Sequence, residues 1–271
     1  MRKLISTKEN TWCTGCGNFG LFAAVRKSIQ MLHEAGTPMA DIVMSAGIGC
    51  HGKIFDYLEI SGIYGLHGRA LATASGVKLA NPQLKVLVFG GDGDSLGEGL
   101  EHTLFAAKRN MDITLILHNN GNYGLTTGQA SPLSIKGFKG LTTPMGNVER
   151  PFTPVTLMME AGASFVGRSY TARIEHLSQM IFQAVNHPGF SFVEVLQPCV
   201  SYNNTYQLYN EHCQIMSEIP ESEEKARSLA KSADPIYLGI YHQEEIPVYH
   251  QQIQDGGASL TRAQRLALLK S

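Results

Sequence analysis

The chain has 271 residues, enough for one large domain, and its apolar fraction of 43% is ordinary for a globular fold. Lys and Arg total 22 against 23 Asp and Glu, so the formal charge is -1; this excludes the bulk basic field of a nucleic-acid binder and any strong acidic bias. No run of about 18 apolar residues could span a bilayer, and five cysteines do not make a secreted disulfide scaffold.

In chain order, Met1-Arg2-Lys3-Leu4-Ile5-Ser6 carries charge with no apolar stretch behind it. No export signal is expected, and the expected compartment is cytoplasmic. Phe22, Val25, Ile29 and Leu32 recur at helical spacing and predict a helix over 17–33. Ile42-Val43-Met44 reads as a strand running into Ser45-Ala46-Gly47. A helix of small residues over 69–79 stops at Asn81-Pro82. A strand at 85–89, a loop at 90–94, a helix beginning near Ser95 and running to 108, and a strand at 113–117 follow. The stretch 121–154 is rich in Gly, Thr, Ser and Pro and reads as a long functional loop. A strand at 164–167, a helix at 174–185 and a strand at 192–196 complete the series. The chain then turns polar over 217–234, a surface helix, with a final strand near 237–240.

Strands separated by helices of this length pair in parallel through right-handed crossovers. The expected fold class is therefore α/β, a doubly wound, mostly parallel sheet. Residues 1–210 form one domain, and residues 211–271 form a C-terminal extension. Sites in such sheets lie beyond the carboxyl ends of strands. The loops Gly47–His51, Gly91–Asp94 and Asn119–Leu125 all stand there.

Gly91-Asp92-Gly93-Asp94 follows a buried strand and opens a helix, and Asn119-Asn120 ends the next strand, with 25 residues between Gly93 and Asn119. A cation such as Mg²⁺ takes hard oxygen ligands from protein and from phosphate. Asp92 offers a carboxylate, Asn120 a side-chain carbonyl, and the turn after it a backbone carbonyl, most simply that of Asn122. The glycines admit the main chain to a phosphate, and the helix start favours its charge. This spacing is similar to the thiamine diphosphate motif, GDG followed by about 25–30 residues and NN. Taken alone, Gly-Asp-Gly is an ordinary turn.

Cys13-Thr14-Gly15-Cys16 places two thiols within reach of one centre, and Cys50 and Cys199 each lie just past a strand. Four thiolates suit tetrahedral zinc or an iron–sulphur cluster, and spacing does not separate them. A disulfide redox pair also fits the CxxC alone. The position of Cys50 in a strand-end loop that could border the diphosphate pocket favours a redox centre, because zinc is redox-inert. Cys213 reads as a packed or surface thiol.

Together, Trp12-Cys13-Thr14-Gly15-Cys16-Gly17, Gly47-Ile48-Gly49-Cys50, Leu66-His67-Gly68-Arg69-Ala70, Gly91-Asp92-Gly93-Asp94 and Tyr123-Gly124-Leu125-Thr126-Thr127-Gly128-Gln129 resemble the β subunit of 2-oxoacid:ferredoxin oxidoreductases, over about residues 10–200. The resemblance implies a [4Fe–4S] cluster on Cys13, Cys16, Cys50 and Cys199, and Mg²⁺ on Asp92, Asn120 and the Asn122 carbonyl. Thiamine diphosphate would contact Ile48, Gly49, Cys50, His51, His67, Gly93, Asp94, Gly124 and Leu125. Lys53 matches a family lysine near the substrate mouth. Two positions depart from the pattern. His51 stands where many relatives have a small residue, and Thr127 where some carry lysine.

The implied reaction is CoA-dependent oxidative decarboxylation of a 2-oxoacid to acyl-CoA and CO₂, with reduction of ferredoxin. 2-Oxoglutarate is preferred over pyruvate. No catalytic residue is expected on this chain: the glutamate that activates the cofactor, and most coenzyme A and substrate recognition, would lie on a partner α subunit. An obligate αβ unit, paired again into a heterotetramer, is implied, with the C-terminal extension packing on the domain or on the partner. No nucleic acid or membrane partner is expected. Two alternatives stand beside this: a non-redox thiamine diphosphate decarboxylase half with a structural zinc, and a non-enzymatic iron–sulphur electron carrier.

Overall fold

A computed structural model of the chain describes residues 4–257 and residue 267. The segment Met1-Arg2-Lys3 and the far end of the 211–271 extension lie outside the described residues. Eight strands form one sheet: β1 (Ile42–Ala46), β2 (Ser61–Tyr64), β3 (Lys85–Gly91), β4 (Thr114–Asn119), β5 (Phe165–Tyr170), β6 (Ser191–Leu196), β7 (Cys213–Ile215) and β8 (Ile236–Gln243). Their order is β2-β1-β3-β4-β6-β5-β8-β7. The first six are mutually parallel, β8 runs antiparallel to β5, and β7 parallel to β8. This is the doubly wound, mostly parallel α/β sheet that the alternation of strands and helices predicts.

The central strands bury both faces, so their sequences read as continuous apolar runs. Leu87 and Phe89 of β3 and Val193 and Val195 of β6 point to one face. There they meet Leu21, Val25 and Ile29 of α1 (Asn18–Glu34) and Leu177, Ile181 and Ala184 of α6 (Ile174–Asn186). Val86, Val88 and Phe192 point the other way. They meet Leu71 and Ala74 of α3 (Ala70–Ala80), Ala106 and Ala107 of α4 (Leu100–Lys108), and Val155 and Met158 of α5 (Pro154–Glu160). Each large side chain buried in this way contributes about 1.5–3 kcal/mol relative to exposure.

Between β1 and β3 the chain changes direction across the sheet: β2 lies on one side of β1, and β3 and β4 on the other. The carboxyl ends of β1, β3 and β4 thus flank a topological switch point, where open α/β sheets leave a crevice.

Three features correct the sequence reading. The expected loop over 90–94 and helix from Ser95 give way to a longer strand and a wide turn. Gly90 and Gly91 still pair with Leu117 and His118, and Gly93–Glu98 form a π-helical turn before α4 starts at Leu100. Asp94 is the reason: its carboxylate turns back to the backbone N–H groups of Ile48 and Gly68 and draws the first turn with it. Such π turns recur at functional sites. Second, β5 continues past the expected end at Gly167, because Arg168 is buried there against Glu194 of β6. Third, β2 was unforeseen. It is an exposed edge strand, and Gly62 lets it approach Met44, whose carbonyl lies 2.6 Å from where a Cβ would stand.

The polar stretch after residue 217 holds α8 (Glu223–Lys231), capped by Ser222, whose hydroxyl accepts from Lys225 N. The final strand is β8, and α7 (Tyr206–His212) and β7 precede it. A short helix, α2 (Ile54–Tyr57), stands between β1 and β2, and α9 (Tyr249–Gly257) follows β8. Among the described residues no helix is long and apolar enough to cross a membrane.

Candidate functional site

Two cavities open beyond the carboxyl ends of β1, β3 and β4. The first is lined by Ile48, Gly49, Cys50, His51, His67, Asp92, Gly93, Asp94, Asn120, Asn122, Gly124 and Leu125. Every residue expected to touch a diphosphate or its cation therefore borders one cleft.

Asp94 is the hub of that cleft. Its Oδ1 accepts from Gly68 N at 2.8 Å and Ile48 N at 3.1 Å. His67 Nδ1 stands 3.3 Å from Oδ1, and His51 Nε2 3.6 Å from Oδ2. Burial pushes the Asp94 carboxyl up, but His51 and the two backbone N–H groups outweigh it and hold the group below the usual value. Gly47 has to be glycine, because a Cβ there would overlap the Asp94 carboxylate.

Asp92 behaves differently. It is fully enclosed, and burial drives its pKa to about 7, although the Ser131 hydroxyl donates to its Oδ2 and the Gly93 N–H also stabilises the charge. A buried carboxylate without a cation beside it is costly, and a divalent ion would remove that cost. The Asn120 side-chain oxygen accepts from Asn122 N at 3.1 Å, and the Asn120 carbonyl accepts from Asn122 Nδ2 at 2.9 Å and Asn203 Nδ2 at 2.8 Å. Asn122 Oδ1 is buried with no hydrogen-bond partner. A buried carboxylate and a partnerless amide oxygen supply hard oxygen donors, and glycines open the approach for a phosphate. They fit a hydrated divalent ion carrying a diphosphate.

The second cavity is lined by Cys13, Cys16, Cys50 and Cys199, with Trp12, Lys53 and Gln197 among its walls. All four cysteines are unbridged. Three separate loops bring them together. Gly15, at φ +81°, turns the chain so that Cys16 N donates to Cys13 O at 3.0 Å. Trp12 Nε1 donates to Cys50 O at 2.6 Å, and its buried ring packs edge-on to Tyr57. Gly17 N donates to Pro198 O at 3.1 Å and brings in the Cys199 loop. Burial, with the neighbouring sulfurs, raises the thiol of Cys16 and, against the opposing charge of Lys53, that of Cys50 to about 11. Such thiols need a strong positive centre to ionise, which a metal group supplies. Among the described residues no three His, Cys, Asp or Glu side chains close on a single ion-sized point.

Lys53 borders this second cavity rather than the first, and its Nζ donates to Thr11 O at 3.2 Å. His51, at the position that departs from the pattern, is buried in a slot between Gly49 and Gly91, where Cβ atoms would come within 2.8 Å and 2.7 Å of its ring. Thr127 is exposed at φ +81°. Cys213 is half-buried at the start of β7, outside both cavities. Ser131, Glu194 and Asn203 were missed in the sequence. They act through hydrogen bonds to Asp92, Asn119 Nδ2 and Asn120 O respectively, and no spacing signal marks them. Cys50, Asn120 and Gly124 line both cavities, which therefore share a wall.

The family described as thiamine pyrophosphate enzyme, C-terminal TPP binding domain, matches residues 47–195. A second family, described as the C terminal part of the pyruvate ferredoxin oxidoreductase beta subunit, matches residues 199–256. The chain is 41% identical over 274 residues to the 2-oxoacid:ferredoxin oxidoreductase subunit beta of Saccharolobus solfataricus, covering 94% of this chain and 89% of that one. It is 35% identical to the 2-oxoglutarate synthase subunit KorB of Archaeoglobus fulgidus, covering 90% and 88%. Among solved structures, it is similar to the 2-oxoglutarate:ferredoxin oxidoreductase from Magnetococcus marinus with 2-oxoglutarate, coenzyme A and succinyl-CoA bound. That likeness has a TM-score of 0.90 at 29% identity and covers 99% of this chain and 94% of that one.

Proposed function

From the premise that the chain belongs to the β subunits of 2-oxoacid:ferredoxin oxidoreductases, we propose that it holds the diphosphate end of thiamine diphosphate and the electron exit of an αβ enzyme. Within that family it is an oxidoreductase subunit with a thiamine diphosphate-binding domain. Family membership does not favour a non-redox decarboxylase half or a stand-alone electron carrier.

The cation is Mg²⁺, held by Asp92, Asn120 and the carbonyl of Asn122. Ile48, Gly49, Cys50, His51, His67, Gly93, Asp94, Gly124 and Leu125 surround the cofactor. When bound, thiamine diphosphate supplies the electron sink for decarboxylation, and a [4Fe–4S] cluster on Cys13, Cys16, Cys50 and Cys199 supplies a one-electron path outward. The chain's own residues supply position. Asp94 fixes the β1 and His67 loops around the pocket through Ile48 N and Gly68 N. Asp92 and Ser131 hold a buried negative site for the cation. Lys53, three residues after Cys50, is the residue expected near the substrate mouth. The single observation that carries this reading is the shared wall of Cys50, Asn120 and Gly124, which lets electrons leave one cavity for the other over a short distance.

The remaining parts of the reaction belong to the assembly. The glutamate that activates the cofactor, and most of the coenzyme A and 2-oxoacid contacts, lie on the α subunit, and two αβ units make a heterotetramer. Residues 1–210 form the cofactor-binding domain, and residues 211–271 extend it. Ferredoxin is the acceptor, and 2-oxoglutarate is preferred over pyruvate. The test is anaerobic coexpression with the partner subunit and an assay of ferredoxin reduction across a panel of 2-oxoacids with coenzyme A. The expected complex is brown, holds about four irons per β chain, favours 2-oxoglutarate and loses activity without its partner. A colourless complex with one zinc per chain would refute the redox role.

A further inference from the structure

We propose that Asn203 is a positioning residue that ties the cysteine loop to the Asn120 turn, so that filling one cavity is felt in the other. This rests on the reading above, in which both cavities hold their groups. Asn203 lies in the loop after the last cluster cysteine, in neither cavity's lining. Its backbone pairs with Cys199 in both directions: Asn203 N donates to Cys199 O at 2.9 Å, and Cys199 N donates to Asn203 O at 3.1 Å. That pairing closes a short loop whose Ser201 hydroxyl sits 3.4 Å from Cys13 Sγ.

The side chain of Asn203 faces the other way. Its amide donates to the Asn120 carbonyl at 2.8 Å. Gly121 makes room for it: the residue adopts φ +67°, and a Cβ there would stand 2.6 Å from Asn203 Nδ2. The sequence Asn120-Gly121 and the amide of Asn203 are thus fitted to each other across 83 positions.

The bond has a directional consequence. The Asn120 carbonyl accepts from Asn203 Nδ2 and from Asn122 Nδ2, so both of its lone pairs are used. With both lone pairs engaged it is not offered to a cation, which leaves the Asn120 side-chain oxygen and the Asn122 carbonyl for that role. Without the Asn203 amide, the peptide between Asn120 and Gly121 gains freedom at a glycine, where rotation costs least. With the amide in place, a shift of either loop reaches the other through one side chain. The backbone bond from Gln197 N to Asn119 O, at 2.9 Å, continues the sheet beside it and provides a fixed base.

The test uses the αβ complex prepared anaerobically, with Asn203→Ala and the near-isosteric Asn203→Asp, which keeps the volume and removes the donor. Three quantities are read: the Kd for thiamine diphosphate with Mg²⁺ by calorimetry, the iron content, and the midpoint potential of the cluster with and without thiamine diphosphate. In both variants the expected Kd rises about tenfold, the effect of about one well-made hydrogen bond, with iron at the wild-type level. The wild-type shift of cluster potential on cofactor binding should shrink. Asn204→Ala, which removes only a 3.3 Å contact to Tyr206 N, should behave as wild type. A Kd within about twofold of wild type in both variants overturns the proposal, since that is below the effect of a hydrogen bond. So does an undiminished potential shift, or no shift in the wild type. Equal weakening by Asn204→Ala, or loss of iron in step with the cofactor, would assign Asn203 to general loop stability and overturn it too. A wild-type complex lacking iron or failing to bind thiamine diphosphate would overturn the parent reading, and this inference with it.

Discussion

The two cavities meet at Cys50, Asn120 and Gly124, yet the chain builds them by different means. The diphosphate cleft is a property of the sheet. Its loops leave adjacent parallel strands in register, and Asp94, through Ile48 N and Gly68 N, holds them before any ligand arrives. The cysteine cavity is a property of loops. It joins the segment before α1, the loop after β1 and the loop after β6, held by Trp12 Nε1 to Cys50 O and Gly17 N to Pro198 O. Burial and the neighbouring sulfurs push the Cys16 and Cys50 thiols upward. One site is held by strand register, the other by a few hydrogen bonds between loops.

Substitutions can break this contrast. The largest effect is expected from Cys16→Ser in the anaerobic αβ complex: loss of the cluster iron, with the Kd for thiamine diphosphate changed only a fewfold. Iron analysis and calorimetry on the same sample decide it, and a parallel collapse of cofactor binding would mean that the sheet site is not independent. Gly47→Ala should do the reverse. The new methyl group displaces the Asp94 carboxylate, and losing two charge-assisted bonds should weaken thiamine diphosphate by about 100-fold or more while iron is retained.

Arg168→Ala probes the sheet beneath both. Arg168 Nε donates to Glu194 at 2.7 Å, and Glu194 also accepts from Asn119 Nδ2 at 2.7 Å. The substitution strands a buried carboxylate, so unfolding free energy should fall by about 3–5 kcal/mol in denaturant titrations. Cofactor affinity should suffer before iron content, because Asn119 precedes the cation turn. The smallest effect is expected at His187, remote from both cavities, where burial holds the imidazole below its ordinary value of 6.5. The unfolded chain takes up that proton first, so stability should drop as pH falls through about 6.5. His187→Gln should flatten the fall in Tm between about pH 7.5 and pH 5, on that reference value, and leave both sites unchanged. A wild-type acid response in the variant would place the lability elsewhere.

Much of the site could be read in the sequence because its parts are punctuated. Glycines and polar residues stand where apolar runs end, and the cysteines stand in turns, so Asp92, Asn120 and Cys50 could be placed at strand ends before any coordinates. The less legible parts depend on contacts between distant segments. β2 lacks alternation and carries a glycine, so it exists only because β1 offers it an edge. The π turn at Gly93–Glu98 follows from hydrogen bonds that Asp94 makes to residues 26 and 46 positions away. Ser131 and Asn203 have ordinary loop sequences, and their roles come from what lies opposite them.

By itself, then, the sequence determined the parallel α/β alternation, and which oxygen- and sulfur-bearing residues stand at the strand ends and in what order. These depend on periodicity and residue chemistry, which are local. Tertiary structure decided that the donors fall into two cavities with a common wall, that Lys53 borders the sulfur side, and that Asn203 bridges the two. Those outcomes depend on strand order and on hydrogen bonds across many positions, and no local pattern encodes either.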